Sequence, residues 1–381
     1  MAAADPLQIL APHLPPPPRG RTFVAAAGKG AASMALAVER SWPATAPLEG
    51  IAVTRYRHGL PTTRIRVVEA GHPVPDEAGE RAATEMLAQV RTLGPDDLLL
   101  ALLSGGGSSL LSLPAPGVSM AELKRLTNEL LRSGAEIREM NTVRKHVSAI
   151  AGGRLAAASR APVLALIISD VVGDDPTHIA SGPCAPDPTT TDAARAILAK
   201  YAISYGGAFS ESPKSLDAEN RVIATAYRSL EAAAQVFQAH GIRPEILGDT
   251  ITGEAREVGR EMARLARRTR GPAALISGGE CTVTIRGDGG RGGRCSEFLL
   301  SLGIESGGLW AIAADTDGID GSEDNAGAVL GPESMQKGLD ARAYLERHDS
   351  YGFFRELGDL LVTGPTRTNV NDYRAIVVTP A

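Results

Sequence analysis

The chain has little cysteine, no long apolar run and no excess of basic residues. Three cysteines, Cys184, Cys281 and Cys295, stand among 381 residues. Their odd number and the lack of a Cys-x-x-Cys pair argue against a disulfide framework or a zinc site. No run approaches the roughly 18 apolar residues of a membrane span. The first 20 residues lack the basic start and apolar core of a secretion signal, so the expected compartment is the cytoplasm. Net charge is −5 with no long basic run, which argues against general nucleic-acid binding. Several catalytic motifs are also missing. There is no G-x-x-x-x-G-K-[ST] loop, no protein-kinase set and no G-x-S-x-G elbow. The seven histidines show no metal spacing.

Glycine is abundant, and its placement is informative. Leu98 to Ser109 reads LLLALLSGGGSS. A charge-free apolar run suits a strand buried on both faces of a parallel sheet. Ligands of open α/β sheets bind where such strands end. There, Ser104, Gly105, Gly106, Gly107 and Ser108 offer backbone N–H groups and hydroxyls to an anion. Phe23 to Met34 repeats the pattern around Gly28, Lys29 and Gly30, and Ala273 to Glu280 repeats it around Ser277, Gly278 and Gly279. Residues 287–297 form a further glycine loop carrying Arg291 and Arg294. Lys29 at a helix start opposes the helix dipole, a cost that a bound anion would offset.

Length predicts two domains. Strands are expected at 22–27, 51–55, 65–69, 97–103 and 162–169, and helices at 29–40, 76–92, 119–133 and 141–159. Ser119 and Glu122 suggest a capping box, and Leu123, Leu126 and Leu130 repeat at helical spacing. This alternation predicts an α/β fold with a Rossmann-like, mainly parallel sheet. Residues 171–192 read as a long functional loop. Residues 204–219 read as a linker, followed by a helix at 220–239. A smaller C-terminal α/β domain then runs through strands at 243–247, 273–277, 281–286, 309–314 and near 374–378. The domains are 1–218 and 219–381, with the option that the last strand returns to the first domain.

Asp315 and Asp317 end a strand in the acidic loop 313–328, and Asp170 ends another. Such oxygen ligands suit Mg²⁺, which uses one or two carboxylates plus substrate phosphates. Thr366 and Asn369 lie in a polar loop suited to substrate or nucleotide. In the helix that Asn141 opens, Val143, Val147 and Ile150 share one face, which leaves Arg144, Lys145 and His146 as an expected solvated basic face. Cations in glycine loops with carboxylates at strand ends suit phosphoryl transfer. The alternatives are an NADPH-dependent hydroxypyruvate reductase and a non-catalytic regulator that binds sugar phosphates. The first rests on Gly28-Lys29-Gly30-x-x-Ser33, an imperfect dinucleotide fingerprint with Arg55 where NAD would want an acid.

The ordered motifs AAGKGAASM (26–34), LLSGGGSSLL (102–111), NTVRKHVSAI (141–150), SDVVGDDPTHIASGP (169–183), GGRCSEF (292–298), AADTDGIDG (313–321) and TGPTRTNVND (363–372) resemble those of class II glycerate 2-kinases. The C-terminal half of that family is known as the MOFRL domain, and some relatives carry the label hydroxypyruvate reductase. The resemblance covers nearly the whole chain. It implies ATP-dependent phosphorylation of glycerate at its 2-hydroxyl, with Mg²⁺, in a cleft between two α/β domains. It also implies small-molecule partners, with no nucleic acid and no membrane, and leaves a homodimer open. The family's lysine and arginine fall on Lys29 and Arg294. Two departures are visible. Cys295 stands where the family usually has Asn, and the segment before the first strand is shorter, which is expected to remove a leading helix. Beside the Arg294 cation, the Cys295 thiol is expected to have a lowered pKa and to react with alkylating agents.

Overall fold

A computed structural model describes residues 2–285, 287 and 289–380. Arg286, at the end of the expected strand 281–286, and Asp288, in the 287–297 loop, lie outside the described residues. The chain divides into two units, one of Asp5–Ile223 and one of Met1–Ala4 with Ala224–Ala381.

The N-terminal unit is built on a sheet of six strands. They are β1 (Thr22–Ala27), β2 (Leu48–Arg55), β3 (Ile65–Ala70), β4 (Leu98–Leu103), β5 (Val163–Ile168) and β6 (Glu219–Ala224), in the order β3-β2-β1-β4-β5-β6. The pairings from β3 through β5 are parallel. Every residue of β1, β4 and β5 is buried. That is why these strands are unbroken apolar runs: helices cover both faces, so no polar alternation is needed. The order reverses direction between β1 and β4, the topological switch point where open α/β sheets bind ligands. The helix Glu77–Val90 is capped by Asp76, whose carboxylate accepts the Gly79 N–H. The helix Met120–Arg132 is capped by Ser119 and buries Leu123, Leu126 and Leu130 as its spacing predicts.

Two local expectations need correction, and one helix was not expected. The helix expected at 141–159 is instead Ile137–His146 plus a short turn at Arg154–Ala157. Gly152 and Gly153 adopt left-handed φ values, and the Ser148 hydroxyl takes the N–H groups of Ile150 and Ala151. The helix expected at 220–239 begins only at Ala226, capped by Thr225, because Arg221, Val222 and Ile223 extend the first sheet as β6. A helix at Thr191–Lys200, capped by Thr190, follows the long loop.

The C-terminal unit carries β7 (Arg243–Gly248), β8 (Gly253–Glu254), β9 (Ala273–Ser277), β10 (Cys281–Thr282), β11 (Trp310–Asp315), β12 (Gly327–Leu330), β13 (Leu360–Leu361) and β14 (Asp372–Val378). β8 and β10 pair alone, so the strand expected at 281–286 is short. The remaining strands form a mixed sheet in the order β13-β12-β11-β14-β9-β7. β14 is antiparallel to both of its neighbours and lies inside this second sheet. Phe298, Phe353 and Phe354 fill the core behind it.

Candidate active site

In the N-terminal unit, the loops after β1 and β4 interlock at the switch point. The Ser104 hydroxyl accepts the Gly30 N–H at 2.9 Å, and the Lys29 N–H reaches the Gly105 carbonyl at 2.8 Å. A Cβ on Gly28 would sit 2.2 Å from Ser104 Oγ, so glycine alone allows this approach. Ser104 is fully buried, and its hydroxyl braces the first glycine loop. Gly30 caps the helix Ala31–Ser41, whose first N–H groups face the same loop. Gly106 packs between Lys29 and His72. A Cβ built on it would lie 3.4 Å from Lys29 Cγ and 2.9 Å from His72 Nε2. Ser108 Oγ lies 2.8 Å from Ser181 Oγ. Gly107 packs against Ala180, where a Cβ would come within 2.5 Å. Asp170 follows β5, half-buried, after the buried Ser169.

The loop 170–182 is conformationally costly. Asp174, Ala180 and Ser181 adopt left-handed φ values of 53°, 52° and 60°, with Gly182 beside them. Strain of this kind persists where the surroundings over-determine it, commonly at binding sites. It aims Ser181 at Ser108. Neither Ser181 nor His72 stood out in the sequence, although Ser181 lies inside a motif that did.

The expected basic face of the helix Ile137–His146 is not solvated. Lys145 is 1% exposed and donates to Asp187 Oδ1 at 3.2 Å. The other Asp187 oxygen accepts from Ser212. Burial raises the Asp187 carboxyl, but Lys145 and these donors outweigh it and hold it below its ordinary range. His146 is wholly buried, with Nδ1 on the Thr142 carbonyl. Helical periodicity missed this arrangement because the counter-charge comes from residue 187. Arg144 is mostly buried as well.

In the C-terminal unit, Arg294 opens the helix Arg294–Ser306 and is held by carboxylates. It reaches Asp315 Oδ2 at 2.8 Å, Asp372 Oδ1 at 2.8 Å and Glu280 Oε1 at 2.9 Å. Burial alone would depress its pKa, but Asp372, Asp315 and Glu280 raise it and keep the guanidinium charged. The second oxygen of Asp372 takes Arg374, which is fully buried and also donates to the Gly278 carbonyl. Sequence reasoning missed Glu280 and Asp372, although both end motifs it singled out.

Asp320 is completely buried and accepts the N–H groups of Cys295 and Ser296, each at 2.9 Å, so it caps this helix. Gly293 is required here, since a Cβ would meet Asp320 Oδ1 at 2.2 Å. Cys295 is correspondingly buried in the core, and burial pushes its thiol well above the ordinary value. The expected lowered pKa is therefore wrong. Desolvation and the neighbouring Asp372, Asp320 and Asp315 outweigh Arg294.

Asp315 Oδ1 accepts the Asp317 N–H, and Asp317 Oδ1 accepts the Ile319 N–H. Thr366 donates its N–H to the Asp317 carbonyl and its hydroxyl to the Thr316 carbonyl, while Asn369 Oδ1 accepts the Asn371 N–H. Among the described residues no three His, Cys, Asp or Glu side chains gather as a metal cage. The Asp315 carboxylate is committed to Arg294 and to the turn. These residues suit a Mg²⁺ that arrives on substrate phosphates and needs one protein carboxylate.

The same unit holds an apolar cavity of about 460 Å³. Ala233, Val236, Phe237 and Ala314 line it, with Asp315, Thr316 and Thr366 at its polar edge. Its size and mixed lining are those of a small-molecule pocket.

Comparison with known proteins agrees with this picture. Residues 1–211 match the family described as "Domain of unknown function (DUF4147)", and residues 273–372 match the MOFRL family. A protein of Agrobacterium vitis provisionally named a hydroxypyruvate reductase is 50% identical over 99% of this chain and 92% of its own length. The glycerate 2-kinase of Pyrococcus horikoshii is 40% identical over 95% of this chain and 88% of its own length. A crystal structure of the glycerate kinase of Thermotoga maritima superposes with a TM-score of 0.89 at 38% identity, covering 99% of this chain and 96% of that one. The chain belongs to the MOFRL family of glycerate 2-kinases.

Proposed function

We propose that this protein transfers the γ-phosphoryl group of ATP to the 2-hydroxyl of glycerate, giving 2-phosphoglycerate and ADP. The observation that carries this reading is its near full-length similarity to glycerate 2-kinases of Pyrococcus horikoshii and Thermotoga maritima, at 40% and 41% identity. The geometry supports it, because within each unit, taken by itself, loops at strand ends carry cations and N–H donors. Phosphoryl transfer asks mainly for positioning and charge neutralisation.

Lys29 and Arg294 neutralise charge on the transferring phosphoryl group. Gly105 and Gly106 offer backbone N–H groups to an anion, while Gly28, Gly30 and Gly107, whose N–H groups bond to the Val53 carbonyl, the Ser104 hydroxyl and the Ser104 carbonyl, let the loops approach closely. Ser104 is a positioning residue, acting through Gly30. The 460 Å³ cavity takes the base of ATP, with Thr366 at its edge, and Asn369 shapes the loop that follows. Asp170 holds the Mg²⁺ that ATP carries, which supplies further neutralisation of the phosphates. Asp315 serves by fixing Arg294, and Asp317 by shaping its turn.

An ATP-coupled assay with glycerate, with the product identified by NMR, tests the reading. Phosphate found only at carbon 3, or no turnover with any small hydroxy acid, overturns it. Filling the cavity with Ala233→Trp should raise the KM for ATP about tenfold and leave that for glycerate unchanged, an effect of roughly 1.4 kcal/mol. An unchanged KM for ATP removes the cavity from the nucleotide site.

The 50% identity to the Agrobacterium vitis protein favours a second reading, hydroxypyruvate reduction. Absorbance of NADPH in the presence of hydroxypyruvate decides it. The first glycine loop speaks against it, because Ser33 stands where the dinucleotide fingerprint needs its third glycine and donates to the Gly30 carbonyl.

A further inference from the structure

The N-terminal unit contains a second, smaller cavity of about 160 Å³. It opens beside the serine end of the β4 loop, where Ser108 and Ser181 face each other, and it is bounded by Leu123, Thr127 and Arg144 from two helices. Arg144 is unusual. Among the described residues its one hydrogen bond is from Nε to Thr127 Oγ1, long at 3.4 Å. Among the described residues no carboxylate pairs with it, and burial alone pushes its guanidinium below the ordinary value. A mostly buried guanidinium without a counter-charge is costly unless an anion completes it.

We propose that Arg144 binds the carboxylate of the acceptor acid, making this cavity the subsite that selects a small hydroxy carboxylate. The inference rests on the kinase reading above and deepens it. A guanidinium matches a carboxylate through two parallel N–H donors. The hydroxyls of Ser108, Ser181 and Thr127 lie around it for the oxygens of the acid. The volume is below the roughly 300 Å³ at which drug-sized pockets begin, so it suits a molecule of a few carbon atoms and not a nucleotide. Gly106, two residues before Ser108, packs against Lys29. An acid anchored at Arg144 therefore lies next to the loop that carries the proposed catalytic lysine.

Steady-state kinetics of Arg144→Gln, Arg144→Lys and Lys124→Glu test this, together with calorimetric titration of glycerate alone. Arg144→Gln should raise the KM for glycerate about 100-fold and leave the KM for ATP within twofold, with Arg144→Lys intermediate, as expected for loss of a charge-assisted pair. The wild type should reject glycerol, which lacks the carboxylate, and Arg144→Gln should discriminate far less. Lys124→Glu places a negative charge at the cavity rim from a half-exposed helix position and should raise the KM for glycerate about tenfold. It decides the matter if Arg144→Gln does not fold. A raised KM for ATP instead, or an unchanged KM for glycerate in an active enzyme, overturns the inference and leaves the kinase reading standing. If the wild type turns nothing over, titration separates the two claims. Glycerate binding lost in Arg144→Gln supports the subsite alone, and no binding by the wild type overturns both.

Discussion

Each unit brings an arginine beside a glycine-rich loop at a strand end, in opposite electrostatic settings. In the N-terminal unit Arg144 meets a hydroxyl and, among the described residues, no carboxylate. In the C-terminal unit Arg294 sits among Asp315, Asp372 and Glu280. The first setting leaves a charge to be satisfied by a ligand. The second holds a charge rigidly in place before any ligand arrives, at the expense of some of its attraction for one. A motif shows that a cation is present. Whether its charge is available depends on residues that the fold brings from elsewhere.

The largest test of this contrast is to remove one cation from each unit. Lys29→Ala should lower kcat about 100- to 1000-fold, the worth of a donor that acts in the transition state. Arg294→Ala should lose as much activity and also destabilise the protein by about 3–5 kcal/mol, because it abandons buried carboxylates. A loss of stability in Arg144→Gln equal to that in Arg294→Ala would erase the distinction between the two arginines. An unchanged kcat for Lys29→Ala would remove the main residue-level support for the mechanism.

Asp315→Asn sharpens the comparison from the carboxylate side. It should lower both stability and kcat through a loosened Arg294, while the Mg²⁺ concentration for half-maximal rate stays at the wild-type value. A raised Mg²⁺ requirement would reassign Asp315 to the metal.

Asp320 offers a pH test confined to the C-terminal unit. Burial raises its carboxyl from 3.8 to about 6, although Ser296 and Cys295 pull it down through their hydrogen bonds. An acid whose pKa rises on folding binds its proton more tightly in the folded state. Its contribution therefore favours folding fully below 3.8 and is lost as pH rises to about 6. The difference in urea midpoint between wild type and Asp320→Asn should change across that window and be flat above it. A difference that does not vary with pH would mean that Asp320 keeps an ordinary carboxyl.

The smallest expected effect is none. Cys184, Cys281 and Cys295 are all buried. A thiol reagent should leave the native enzyme active and unlabelled, and should count the cysteines only after unfolding. Rapid alkylation with loss of activity would return Cys295 to the surface of the site.

Much of this was legible in the chain because the signals were local. The all-apolar runs of β4 and β5, the Ser119 cap and the glycine loops at strand ends are read from adjacent residues. What escaped reading depends on long-range pairing. Lys145 and His146 belong to a helix whose apolar face was correctly identified by Val143, yet they are buried because Asp187 and the 204–219 segment cover them. Val222 and Ile223 looked like the start of the Ala-rich helix, yet a sheet edge claimed them as β6. Cys295 was read from its neighbour Arg294, whereas its environment is set by Asp320 and the core.

The position of β14 has a consequence for biosynthesis. Residues 372–378 are the last to be made among the elements described, yet they form an inner strand between β9 and β11, hydrogen-bonded to both. Until those residues leave the ribosome, the second sheet stays split into two halves with facing unpaired edges, while the strands of the first sheet are already complete. Residues Ala2–Ala4, made before any strand of the first sheet, belong to the unit that closes last. Vectorial synthesis thus yields a folded leading unit and a trailing half-sheet, and that nascent state, with its exposed edges, is the one most open to mispairing and to chaperones.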